Sequence, residues 1–413
     1  MNNYDKVRNG FPCLCLGSIL SISGSPQTYR LKGRKMTRVC LVPCDSYDEA
    51  LTYEAIKKGF ELLGGVQKYI NAEDRVLLKP NLLSGAVPEK AVTTHPAVFG
   101  GVARVLREAG IKDLSYGDSS GVGSPSSDKV AAVTGLEKEA EKYGIVHKLF
   151  DESVSVSNPN GKVAKHFVLC RDAVETDALL SLCKMKTHAL ENITGALKNQ
   201  YGTVYGNQKG LYHAKYPNAR IFADMLADLN KVVKPKLFIM DGIVAMEGNG
   251  PGSGDPVSMN MILMSDDGVA LDTVFSELVY FPPENVPTTV SGFKAGLGTM
   301  KKDDIEIATP DGIITVDEAK GKYGNPNFNV HRKNARFWKI KSTLLSLKGQ
   351  SEKPIVDSSK CIGCGICEDA CPVDGKAVHS GNGKKAEYDY SKCIRCYCCQ
   401  EMCPAHAIRK GLF

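Results

Sequence analysis

From Met36 onward, short apolar runs alternate with longer stretches of helical period. Residues 39–42 form an apolar run of strand length, and 47–63 carries apolar positions at three- and four-residue spacing before stopping at Gly64-Gly65. The pattern then repeats. "RVLLK" at 75–79 predicts a buried strand, 96–109 a helix ending at Gly110, and 114–117 a strand running into the turn-rich "GDSSGVGS". Further on, 178–183, 236–242 and 259–264 predict strands, while 219–233 and 269–279 predict helices, the first capped by Asn218. Strands alternating with helices of 10–15 residues imply βαβ units. The expectation is an α/β domain over 36–325, a mainly parallel sheet with helices on both faces.

The remaining segments break that rhythm. At 413 residues the chain is long enough for two or three domains. Residues 11–22 are apolar and follow Lys6 and Arg8, faintly like a signal peptide. Pro12 and Gly17 interrupt the stretch, however, and no small-residue cleavage site follows. Since Met36 opens the first strand, residues 1–35 are expected to be a dispensable, poorly ordered extension. Residues 326–355 hold Arg332, Lys333, Arg336, Lys339, Lys341 and Lys348 with no acid between them, beside Phe337, Trp338 and Leu344. They predict a basic linker helix whose charged face is solvated. The net charge of +6 is mild, and no aromatic-interleaved basic stripe argues for nucleic acid. No apolar run reaches the roughly 18 residues of a membrane span.

Cysteine spacing changes the picture most. Nine of the 15 cysteines fall between Cys361 and Cys403. Cys361, Cys364, Cys367 and Cys371 form C-x2-C-x2-C-x3-C followed by Pro372, and Cys393, Cys396, Cys399 and Cys403 repeat it before Pro404. A zinc site takes four ligands, usually as two separated C-x2-C pairs, so two complete four-cysteine runs argue against zinc. The duplicated run resembles that of bacterial two-cluster ferredoxins. That resemblance implies a small α+β ferredoxin-like domain over 356–413 holding two [4Fe–4S] clusters. It also implies interleaved ligation, in which the fourth cysteine of each run serves the other cluster. One cluster then takes Cys361, Cys364, Cys367 and Cys403, and the other takes Cys393, Cys396, Cys399 and Cys371. Cys398 has no slot in this pattern. The resemblance favours low potentials, an anaerobic setting and the cytoplasm.

Within the α/β domain neither G-x-G-x-x-G nor a P-loop appears. Polar residues instead collect where strands end, which is where open α/β sheets bind ligands. Lys79 and Asn81 follow one strand and Asp118 another. His95 opens a helix with Thr94 as its expected cap. Lys184, Lys186 and His188 alternate along one side of a strand, ahead of Lys198 and Asn199; His213 and Glu247 lie further on. The lysines are ammonium candidates for a carboxylate or phosphate, Asn81, Asn199 and Asp118 would complete the pocket, and His188, His213 and Lys186 are the proton-transfer candidates. Glu247 is a proton partner or metal ligand, and the glycine-rich 248–254 loop reads equally as a phosphate cradle or a plain turn.

The motifs "LLKPNLL", "TTHP", "YGDSSG", "KMKTHALENITGALKNQYG", "YHA" and "DGIVAMEGNGP" resemble a family of uncharacterised iron–sulfur center proteins of anaerobes. In that family a domain of unknown function precedes a two-cluster ferredoxin module. The combined expectation is an iron–sulfur oxidoreductase. It would take low-potential electrons from an external donor, a ferredoxin or similar carrier, and pass them to a small anionic substrate. The alternative is an electron-transfer or cofactor-maturation partner with no turnover of its own.

Overall fold

The computed structural model describes residues 36–411, apart from 122, 123, 125, 217 and 331–352. The extension expected over 1–35 and most of the basic linker lie outside the described residues.

The α/β domain is organised on one large sheet. Its strands are β1 (Thr37–Pro43), β2 (Val76–Lys79), β3 (Leu114–Tyr116) and β4 (Val146–His147), then, past a separate hairpin of β5 (Ser153–Ser157) and β6 (His166–Cys170), β7 (Ala178–His188), β8 (Asn192–Thr194), β9 (Leu237–Glu247), β10 (Asp255–Ser265), β11 (Ile305–Thr309) and β12 (Gly312–Ile314). The order is β12-β11-β1-β10-β9-β7-β2-β3-β4, with β8 folded back on β7. Five pairings are parallel: β1 with β11, β2 with β3, β2 with β7, β3 with β4, and β7 with β9. The antiparallel β10 separates β1 from β9.

Strand alternation builds a core on each face. Cys40, Val42, Leu237, Ile239, Ile262 and Met264 point one way, against Tyr53, Ile56 and Phe60 of helix Glu49–Leu63 and Val98, Phe99 and Val102 of helix Pro96–Glu108. Val39, Leu41, Phe238, Met240, Met261 and Leu263 point the other way, against Leu271, Val274 and Phe275 of helix Gly268–Leu278. A third core joins Phe167 and Leu169 to helix Ala219–Val233 through Phe222, Met225 and Leu226. Helices therefore cover both faces of a mainly parallel sheet.

Several local expectations meet their physical cause. Gly64 ends the first helix in the left-handed conformation at φ 102°, and the Asn218 side chain accepts from the Ile221 amide. One cap is corrected: His95, not Thr94, caps helix Pro96–Glu108 by accepting from the Ala97 amide at 3.1 Å. Thr94 instead accepts from the Asn81 amide and donates to the Leu182 carbonyl. Four strands, β1, β7, β9 and β10, are also longer than their apolar runs. β7 continues through Lys184, Lys186 and His188, because β8 and β9 supply ladder partners that local hydrophobicity does not reveal.

The C-terminal module pairs β13 (Lys353–Val356) with β16 (Ile408–Gly411), around a hairpin of β14 (Val378–Gly381) and β15 (Lys384–Tyr388). Its small core contains cluster-run cysteines together with Ala377, Val378, Ala386 and Ile408. Among the described residues, no helix is long and apolar enough to cross a membrane.

Candidate functional site

The two cysteine runs wrap two separate cavities. One, enclosing about 300 Å³, is lined by Cys361, Cys364, Cys367 and Cys403. The other, about 280 Å³, is lined by Cys371, Cys393, Cys396 and Cys399. Each cavity thus takes three cysteines from one run and the fourth from the other. Their walls are otherwise largely apolar, with Ile362, Ala386, Ala405 and Ile408 at the first and Val373, Val378, Ile394 and Tyr397 at the second. Amides of Ala386 and Ala407 reach the sulfurs of Cys361 and Cys403 at 3.4 and 3.3 Å, and the Ala377 amide reaches Cys371 at 3.3 Å. The Tyr388 hydroxyl donates to Cys399 Sγ at 3.0 Å. Such donors stabilise thiolates and tune cluster potential. Four cysteines spread around each cavity suit a cubane cluster.

The second run docks on the α/β domain. Helix Cys398–Glu401 carries Gln400, which is buried and donates to Asn249 Oδ1 at 2.8 Å. Asn249 in turn donates to the Ile408 carbonyl at 3.2 Å, and Ser253 donates to the Cys403 carbonyl at 3.3 Å. A Cβ on Gly252 would stand 2.4 Å from the Glu401 carbonyl oxygen. The glycine-rich 248–254 loop is therefore the seat of the cysteine module, and its glycines allow backbone to approach backbone. The phosphate-cradle expectation gives way to this role.

Between the sheet ends and the cysteine module lies a cleft of about 560 Å³ of open space. From the α/β side Asn81, Asp118, Ser119, Ser120, Lys198, Asn199, Tyr201, Lys209 and His213 line it; from the cysteine module Cys398, Glu401 and Met402 do. A smaller inner lobe is lined by Lys184, Lys186, Thr194 and Pro251 and shares Asn81, Leu83, Lys198 and Asn199 with the cleft.

The site side chains form a graded network. Lys79 is fully buried and donates to Asp118 Oδ1 at 2.8 Å and the Pro80 carbonyl at 3.0 Å, while Asn199 Nδ2 reaches Ser181 at 2.9 Å. Burial pulls Lys79 down and Asp118 opposes this. Lys184 pairs with Asp241 at 2.7 Å and with the Tyr47 hydroxyl at 2.9 Å. Lys186 donates to Asn81 Oδ1 at 2.7 Å and the Val92 carbonyl at 2.8 Å; burial, aided by the Lys198 charge, brings it down to about 7. Lys209 donates to the Ser119 carbonyl and hydroxyl and to the Ser120 carbonyl, and burial brings it to about 8.

His188 is fully buried. Its Nδ1 accepts from the Leu190 and Glu191 amides, so the ring proton belongs on Nε2, which lies 2.8 Å from Glu401 Oε1 in a close contact without full hydrogen-bond alignment. Burial lowers His188 to about 4. Burial alone would raise the Glu401 carboxyl, but His188, Lys198 and His213 around it hold it well below the usual carboxylate range. His213 stacks on Phe222 at 4.5 Å, burial lowers it to about 4, and its Nδ1 has no partner.

Most of the residues singled out from sequence therefore share this region. Asn81, Asp118, Lys198, Asn199 and His213 line the cleft, and Lys184 and Lys186 the inner lobe; Lys79 lies beneath, and His188 backs Glu401. Glu247 stands apart: at the far end of β9 it accepts from the Asn329 amide at 2.5 Å and lines neither lobe. Sequence reasoning missed Glu401, Cys398, Met402 and Lys209. A carboxylate set between two cluster cysteines, two residues from each, was the available signal for Glu401.

These features define an iron–sulfur protein that carries two [4Fe–4S] clusters for electron transfer on an α/β domain. Residues 353–404 match a 4Fe-4S dicluster domain, and residues 76–277 match the family described as domain of unknown function DUF362. Over 260 residues the chain is 34% identical to the thylakoid-associated protein sll1697 of Synechocystis, covering 63% of this chain and 79% of that one. The chain belongs to the DUF362 family, in a form followed by a C-terminal dicluster domain. Among solved structures, the lactate racemase apoprotein of Thermoanaerobacterium thermosaccharolyticum matches at a TM-score of 0.38 and 13% identity, over 55% of this chain and 54% of that one. A protein from Thermotoga maritima matches at 0.33 and 11%, over 55% and 57%. This chain spans only about half of each, and likeness of that degree bears on neither fold nor function.

Proposed function

We propose that the protein is an iron–sulfur reductase acting on a small anion held in the cleft. The observation that carries this reading is the composition of the cleft wall. Cys398, next to the cluster ligand Cys399, and Glu401 face the same space as Lys198, Lys209 and His213. The clusters supply single electrons when bound, and fusion in one chain keeps their source beside the substrate. The protein's own residues do the rest. Lys198 supplies a positive charge to the anion, Asn81 and Asn199 orient it, and His213 offers an unpartnered ring nitrogen for proton movement. Lys79 and Asp118 hold the floor rigid by pairing with each other.

Electrons enter from an external low-potential carrier at the first cysteine run, where Cys364 is exposed. A reducing compartment such as the cytoplasm and an anaerobic setting fit low-potential clusters. The test is anaerobic reduction of the cluster-loaded protein, with mass spectrometry of small molecules released on denaturation. A released organic anion whose readdition reoxidises the reduced clusters, followed by EPR, is the expected result. Reduced clusters that pass electrons to a carrier protein and to no small anion would make the chain an electron-transfer partner instead.

A further inference from the structure

The inner and outer lobes of the cleft offer different chemistry, and a count of unused hydrogen-bond donors shows where an acid group belongs. Lys209 has three acceptors for its three N–H groups. Lys184 is neutralised by Asp241. Lys186 fills two of its three donors and keeps one. Lys198, at the seam shared by both lobes, has no hydrogen-bond or ion-pair partner among the described residues and only the Tyr201 ring at 5.9 Å. The positive charge not tied up in a hydrogen bond or ion pair therefore sits at the seam and the inner side, with the Glu401 carboxylate as the charge that offsets part of it. The outer lobe differs: its unpartnered polar groups are the Ser120 hydroxyl and the His213 ring, both neutral near pH 7, and one oxygen of the Glu401 carboxylate.

Resting on the reading of this cleft as a substrate site, we propose that its ligand is a short carboxylic acid. The carboxylate lies at the seam on Lys198 and Lys186, and the rest of the molecule projects into the outer lobe toward His213 and the second cysteine run. The two lysines favour this orientation, since an acid group turned outward would leave them and meet only neutral groups and the Glu401 carboxylate. The cleft that receives the rest of the molecule is bounded by Tyr201, His213 and Met402, which favours a short acid. A carboxylate beside Lys186 stabilises its ammonium form, so binding draws in a proton at pH 7 to 8.

Isothermal titration of the full, cluster-loaded chain with crotonate, in two buffers of different ionisation enthalpy, tests this directly, with inorganic phosphate as the rival anion. Crotonate is expected to bind with proton uptake, to weaken at least tenfold in Lys198→Met, and to lose the proton uptake in Lys186→Met. Lys198 is only half-buried, so its variant should keep its iron content. Crotonate binding that is unchanged in Lys198→Met, or phosphate binding in preference to crotonate, overturns the proposal. Crotonate that binds in this way without reoxidising reduced clusters leaves the binding assignment standing and defeats the reductase reading for this acid.

Discussion

The two cysteine runs share a spacing but not a setting. In the first, Cys364 is exposed and its neighbour Ile362 is 64% exposed. In the second, Cys396, Cys398 and Cys399 are all buried. Both need a left-handed backbone at the same two places. The first uses Gly363 and Gly365, at φ 67° and 84°; the second uses Arg395 and Tyr397, at 61° and 64°. Glycine at 363 also answers a close approach, since a Cβ there would meet the Gly383 carbonyl carbon at 2.4 Å. The second run accepts a non-glycine strain of about 1–2 kcal/mol per residue and gains side chains. Tyr397 is buried with Lys410 near its ring, and Lys410 reaches the Ala189 carbonyl on the α/β domain. The first run is shaped for access and the second for attachment.

The largest expected effects come from removing ligands. Cys364→Ser and Cys399→Ser should each cost one cluster, lowering iron from about eight to about four atoms per chain. Only Cys399→Ser should also lower Tm markedly, because its run seats the module on the α/β domain. Equal losses of Tm in both variants would break the contrast. Next in size is Gly252→Ala. Its methyl group meets the Glu401 carbonyl oxygen at 2.4 Å, backbone against side chain with no rotamer to turn away. A cost of about 1–3 kcal/mol is expected, read as a lower denaturation midpoint at unchanged iron content. Gln400→Ala should be milder, at about 1 kcal/mol for one buried donor lost.

The cysteine spacing was legible because each run is local: eleven residues carry its whole signal, even though the fourth cysteine of each serves the other cavity. Lys184, Lys186 and His188 were legible for a similar reason, since alternation along one strand sets their side. Glu401, Met402 and Cys398 were not. They reach the cleft only because helix Cys398–Glu401 docks on a loop about 150 residues earlier, and no local period records that contact. The glycines of 248–254 were visible yet ambiguous, as backbone approach to a ligand and backbone approach to another chain segment demand the same residue. Glu247 was misplaced by its neighbourhood in sequence: β9 carries it past the cleft to pair with β10.

The last contrast is electrostatic, confined to the second run's side, and expected to be the smallest effect. Burial lowers Lys186 to about 7 and Lys209 to about 8, from an ordinary lysine value of 10.5. In the unfolded chain both would bind protons up to about pH 10.5. In the folded chain they release them above pH 7 to 8. Between those limits the unfolded state holds more protons, so stability rises with pH. It falls as pH drops from about 10 toward 7 and gains no further slope from these groups below that. Denaturant midpoints from pH 7 to 10 should therefore climb in the wild type and climb less in Lys186→Met. Lys384, exposed on the β14–β15 hairpin and outside the cleft, is the control, and Lys384→Met is expected to leave the slope unchanged. An equal flattening by both substitutions would mean that the pH dependence comes from general surface charge, and the cleft lysines would lose their distinct standing.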